Sequence, residues 1–136
     1  MNRFNMPWAS EGSPWYDFDF GGAHFVVIST EHDLTTGSTQ YEFIINSLQN
    51  VDHDQTPWII MAGHRPMYTV SSQDLKEQNI TDTLQAYLEP LFRIYQVDLA
   101  LWSYHHSYQR TCPVYRGNCV DGGTVHLVVG TGGAQL

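Results

Sequence analysis

Several side chains in this sequence could do chemistry, and the most suggestive stand where apolar runs stop. His64 directly follows Trp58-Ile59-Ile60-Met61-Ala62-Gly63, and His105-His106 closely follow Val97-Asp98-Leu99-Ala100-Leu101-Trp102. Imidazole nitrogens ligate first-row transition metals, so histidines distant in sequence could converge on one ion if the fold brings these loops together. Loop histidines also serve as plain hydrogen-bond partners of backbone groups, and the residues by themselves leave both readings open. Glu31-His32-Asp33 combines acids with a base, but at a strand end it reads as structural or solvated. Gly130-Thr131-Gly132-Gly133 resembles a phosphate loop only superficially, since no Lys and no helix follow. His24, His53 and His126 read as packing or surface residues.

The elements that must position these groups follow from apolar patterning. Trp15 to Phe20 alternates bulky and acidic residues, Gly21-Gly22 supplies a turn, and His24 to Thr30 is rich in Val, Ile and Phe, which predicts a hairpin. From Ser38 the spacing becomes helical, with Tyr41, Ile44, Ile45 and Leu48 on one face and Ser38 or Thr39 as the N-cap. The runs 58–62 and 97–102 predict strands buried on both faces. Between them, Thr69 to Asn79 reads as a polar stretch, and Thr81 can cap a helix with a Leu84, Leu88, Leu91, Tyr95 stripe broken at Pro90. Strand, helix, strand at this spacing is a βαβ unit, whose parallel strands open their carboxyl ends onto one crevice. Thr124 to Gly130 is a further Val-rich strand returning to the sheet. No repeat or linker divides the chain.

Composition limits the partners. Forty-two per cent hydrophobic residues suffice for a core, and 6 Lys+Arg against 14 Asp+Glu give a formal net charge of −8, which disfavours nucleic acid and anionic membranes. No apolar stretch approaches bilayer length, and the first twenty residues lack the pattern of an export signal. Cys112 and Cys119 flank Gly117-Asn118, turn chemistry that could bring a hairpin's ends to disulfide distance; two free core thiols are the alternative. Asn79-Ile80-Thr81 is a glycosylation sequon, and with the cysteines it points to a secreted or lysosome/vacuole-like compartment.

Four segments taken in order carry a family resemblance: Arg3-Phe4-Asn5-Met6-Pro7; His24-Phe25-Val26-Val27-Ile28-Ser29-Thr30-Glu31-His32-Asp33; Thr56-Pro57-Trp58 through Gly63-His64-Arg65-Pro66-Met67-Tyr68; and His106-Ser107-Tyr108-Gln109-Arg110-Thr111-Cys112-Pro113-Val114-Tyr115. Together they resemble the C-terminal part of the purple acid phosphatases, within the calcineurin-like metallophosphoesterases. The resemblance implies an α/β fold: the C-terminal half of an α/β/β/α sandwich, with a mixed sheet and flanking helices, residues 1–136 forming a partial catalytic domain. It also implies phosphate monoester hydrolysis at a dinuclear site of iron with zinc, manganese or iron in the full-length parent. Three of the family's five ligand motifs would lie upstream of Met1.

The resemblance assigns His64, after Met61-Ala62-Gly63, to the divalent metal, and His106 to the ferric ion. The family's Gly-His-x-His motif reads Ser103-Tyr104-His105-His106 here, so Tyr104 replaces a histidine ligand. In an extended segment positions 104 and 106 face one side and His105 the other. A phenol is a weaker substitute for imidazole at a divalent ion. Histidines after His64 that would protonate the leaving group in plant members of the family are absent from Tyr68-Thr69-Val70-Ser71-Ser72. Two histidines without the upstream carboxylates should not retain metal tightly, so no complete catalytic set is expected in this chain. Two functions follow: part of an active acid phosphatase, inactive alone, or a phosphatase-derived structural or interaction domain. Half a sandwich would expose a sheet face, with the missing N-terminal half or a second copy as partner.

Overall fold

In a computed structural model, residues 12–70 and 75–132 are described. The resemblance segment 3–7 and Gly133 lie outside them. β1 (Tyr16–Phe20) and β2 (Ala23–Val27) form the expected antiparallel hairpin, with Gly21 and Gly22 turning at positive φ. β3 (Trp58–Gly63) and β4 (Leu99–Trp102) add in parallel, and β8 (Val125–Val129) lies parallel beside β4. β5 (Tyr108–Arg110) closes the far edge antiparallel to β8, giving a six-stranded mixed sheet of order β1-β2-β3-β4-β8-β5.

Asp98 pins the register of the parallel strands. Its carboxylate accepts from the Ile59 N–H at 2.8 Å, its own N–H donates to the Ile59 carbonyl, and its carbonyl accepts from Val125. A one-residue slip would lose all three bonds and invert the buried face.

Helix α1 (Thr39–Gln49) starts where the sequence predicts. Ser38, extended at φ −69° and ψ 153°, accepts from the Tyr41 N–H at 3.2 Å. The next helix begins earlier than Thr81: α2 spans Leu75–Tyr87, and α3 follows as Glu89–Ile94. Thr81 is therefore interior to α2, where its hydroxyl donates to the Pro66 carbonyl at 3.2 Å. The break falls just before Pro90, whose ring cannot continue a helix from the preceding turn.

The core lies on one side of the sheet. Val26, Ile59, Met61, Ala100, Trp102 and Val128 meet Ile44 and Leu48 of α1, Leu84 of α2, and Leu91 and Phe92 of α3. The opposite face carries the rows Phe18-Phe25-Ile60-Leu99-Val125 and Val27-Ala62-Leu101-Leu127. None of these is buried, and Trp58 beside them is 59% exposed. The expectation of strands buried on both faces is thus corrected, because the helices among the described residues all cover the same side.

The cysteines form a disulfide, Cα–Cα 5.7 Å, across a small hairpin of β6 (Val114–Tyr115) and β7 (Asn118–Cys119). Both are exposed, which removes the core-thiol alternative. The turn itself is Arg116-Gly117, both at positive φ, and Asn118 is the first residue of β7, not part of the turn. Glu89 holds this turn from below, accepting from the Arg116 N–H at 2.8 Å and from the Tyr68 hydroxyl.

Candidate metal-binding edge

His64 and the 103–107 loop leave the carboxyl ends of neighbouring parallel strands, as the βαβ reading requires. They are tied directly, with the N–H groups of Ser103 and Tyr104 donating to the His64 carbonyl at 3.1 and 2.8 Å. His64 Nδ1 lies 3.2 Å from the Ser103 hydroxyl, which orients the ring and leaves Nε2 as the nitrogen for a ligand. From the other side, α2 anchors the His64 loop through Thr81 on the Pro66 carbonyl and the Gln85 amide on the Met67 carbonyl at 3.0 Å.

Tyr104 packs edge-on against His64, ring centroids 5.3 Å apart, and against His105 at 5.2 Å. The Arg65 guanidinium lies 4.5 Å over the Tyr104 ring, and its Nε donates to Glu31 at 2.7 Å. That guanidinium holds the Glu31 carboxyl below its ordinary range, with His64 adding a smaller pull in the same direction. The 103–107 segment is bent, not extended, and the Ser107 N–H donates back to the His105 carbonyl at 2.8 Å. The alternation argument for residues 104 and 106 therefore does not apply, and His105 contacts Tyr104 instead of turning away. His106 is exposed on the same loop.

Gly130 explains this loop's position. A side chain there would overlap the carbonyl oxygens of Ser103 and His105, so the end of β8 passes the loop only as glycine. The structure gives Gly130 a close-packing role. The Glu31-His32-Asp33 group divides into separate structural tasks. Glu31 holds Arg65, His32 Nδ1 meets the Ser29 hydroxyl at 2.7 Å, and Asp33 accepts from the Thr35 N–H and hydroxyl. The Thr35 bonds lower the Asp33 pKa. His126 is a core residue, 2% exposed, as expected.

Residues that could share a metal are thus brought to one edge, but among the described residues no cluster of three or more His, Cys, Asp or Glu can hold an ion. Among the described residues the donors at this edge fall short of a whole metal site.

The solved purple acid phosphatase PPD1 of yellow lupin (Lupinus luteus) superposes over 98% of this chain with a TM-score of 0.83 at 34% sequence identity. The chain is a relative of the purple acid phosphatases. It is 37% identical over 145 residues to an Arabidopsis thaliana protein named "Probable inactive purple acid phosphatase 9", a match covering 96% of this chain and 22% of that one. It is 35% identical over 159 residues to the Homo sapiens acid phosphatase type 7, covering 98% of this chain and 36% of the human protein. The lupin match covers 25% of the lupin chain. No protein-family model matches. The chain therefore spans well under half the length of these relatives, and its six-stranded mixed sheet with helices is the corresponding part of the purple acid phosphatase fold.

Proposed function

We propose that this chain is one part of a metal-dependent acid phosphatase domain that hydrolyses phosphate monoesters, and that it is inactive alone. The observation that carries the reading is the hydrogen-bonded pairing of the His64 and 103–107 loops at one sheet edge, in a fold shared with purple acid phosphatases. His64 would hold the divalent zinc, manganese or iron and His106 the ferric ion, with Tyr104 beside the divalent position as a weaker donor. When bound, such a pair neutralises phosphate charge and makes hydroxide from water near neutral pH. The chain's own part is to hold the imidazoles, through Ser103 on His64 and through Gly130 under the 103–107 loop.

The bare sheet face supports the incomplete-domain reading. Runs such as Trp58-Ile59-Ile60-Met61-Ala62 belong to strands covered on both sides, and among the described residues helices cover only one side. The upstream half of the domain is the proposed cover, with a second copy as the substitute when that half is missing. The disulfide supports an oxidising compartment, secreted or lysosome/vacuole-like, and exposed Asn79 is the proposed glycan acceptor.

One observation favours a second reading, a non-catalytic phosphatase-derived domain. Tyr104 replaces the family's histidine and is engaged with His64, His105 and Arg65. Metal analysis after dialysis separates the two. On the first reading the chain alone keeps less than one metal ion, and the chain joined to an upstream half keeps two, falling in His64→Ala and His106→Ala. An extended chain that keeps none would leave the second reading standing.

A further inference from the structure

Towards the opposite end of β2 and β3 from the His64 loop, the hairpin and helix α1 bring an acid, an imidazole and an alcohol into line. His24 on β2 has Nδ1 2.6 Å from a carboxylate oxygen of Asp19 on β1 and Nε2 2.9 Å from the hydroxyl of Ser47 on α1. A carboxylate only accepts, so Nδ1 carries a proton towards Asp19, and in the neutral ring Nε2 is then the acceptor for Ser47, with an Asp17 carboxylate oxygen 4.0 Å from the same Nε2. This is the hydrogen-bond order of an activated serine. His24 and Ser47 are buried, and all three residues line one cavity of about 610 Å³.

We propose that this cavity is a nucleophilic-serine site for small esters of cationic alcohols. Ser47 is the nucleophile, His24 the general base, and Asp19 the positioning residue that fixes the tautomer. The Ser47 oxygen bonds to the acyl carbon while its proton passes to His24 Nε2. The bond from that carbon to the leaving alcohol then breaks, and His24 returns the proton to the alcohol oxygen. Water repeats the sequence, releasing the carboxylic acid and restoring Ser47. Asn46 and Trp15 also line this cavity and are the candidate sources of N–H donors for the transient oxyanion.

The substrate class follows from the wall. Besides Asp19 it carries Asp17, Glu42 and Asp52, with the rings of Trp15 and Phe43, a lining that repels anions and attracts an organic cation. A phosphate ester suits this cavity poorly, so the site stands apart from the proposed phosphatase chemistry.

The test uses a fluorophosphonate probe bearing a trimethylammonium group, with chelator present, on the 136-residue chain in native buffer and in urea. The adduct is mapped by peptide mass spectrometry. The site predicts an adduct on Ser47 in native buffer only, forming at least about 100-fold more slowly in His24→Gln and slower in Asp19→Asn. It also predicts about tenfold faster labelling by the cationic probe than by a neutral one with the same leaving group. No native adduct on Ser47 overturns the proposal, and this arm decides even if a variant fails to fold. Equal rates in His24→Gln also overturn it, leaving a clamp between α1 and the hairpin. Because metal is chelated throughout, the outcome is independent of the phosphatase reading.

Discussion

His126 makes the fold acid-sensitive in a way that can be isolated. The ring is enclosed, with Phe92 and Trp102 stacked at 6.2 and 6.1 Å and Tyr68 edge-on at 5.0 Å. The Trp102 indole donates to its Nδ1 at 3.1 Å. Protonating the ring would put a charge in the core and set a donor against a donor. Burial accordingly pushes its pKa down from 6.5 to about 4. With the folded value depressed, the unfolded chain binds the extra proton more readily. The stabilisation is present in full above pH 6.5 and is lost as pH falls towards 4. At 1.36 kcal/mol for each pH unit between those values, the loss is about 3 kcal/mol. His126→Phe keeps the ring and removes the titration, at a cost of about 1–3 kcal/mol at pH 7 because the Trp102 N–H loses its acceptor. Urea denaturation of both proteins at pH 7, 5.5 and 4 should show the wild-type advantage shrinking and then reversing. A constant difference across that range would refute the reasoning, since all other titrating groups are common to both.

Three further outcomes are expected. Burial and the bond to Glu89 push the Tyr68 hydroxyl up to about 12, so its stabilisation holds below pH 10 and is lost between 10 and 12; alkaline denaturation should show this step in the wild type and not in Tyr68→Phe. Gly130→Ala should destabilise by about 2 kcal/mol or more in thermal melts and shift the amide resonances of residues 103–107, because the new methyl overlaps two carbonyl oxygens. Ser38→Ala should cost about 1 kcal/mol in the same melts through loss of the α1 cap, with the His64 loop unperturbed.

Much of this fold is legible in the sequence where local rules and burial agree. The Gly21-Gly22 hairpin, the Ser38 cap and the two parallel strands all follow from residue pattern, and the disulfide ranks as one of two readings until the exposed hairpin decides it. Where the signal is weak, the reading falls short. The first turns of α2 lack an apolar stripe and read as a polar stretch, and β5, Tyr108–Arg110, is too short to alternate. The apolar runs in β3 and β4 signal two-sided burial, which the helices supply on one side only. At the carboxyl edge of the sheet, sequence places His64 correctly after its strand, but the bent loop that sets His105 against Tyr104 packs on Gly130, some 25 residues away in sequence. The Asp19-His24-Ser47 line is not legible in the sequence, because its members sit on three elements that only the fold brings together.

Turnover is the direct test of the proposal that this chain contributes histidine ligands to a phosphatase site completed elsewhere. Hydrolysis of p-nitrophenyl phosphate at mildly acidic pH should be measured for the chain alone and for a chain extended with the upstream half, each with Tyr104 and with Tyr104→His. The chain alone should show no turnover, and the extended protein should show turnover that is abolished in His64→Ala and raised in the Tyr104→His form. An extended protein that stays inactive and metal-free with histidine at position 104 would contradict it.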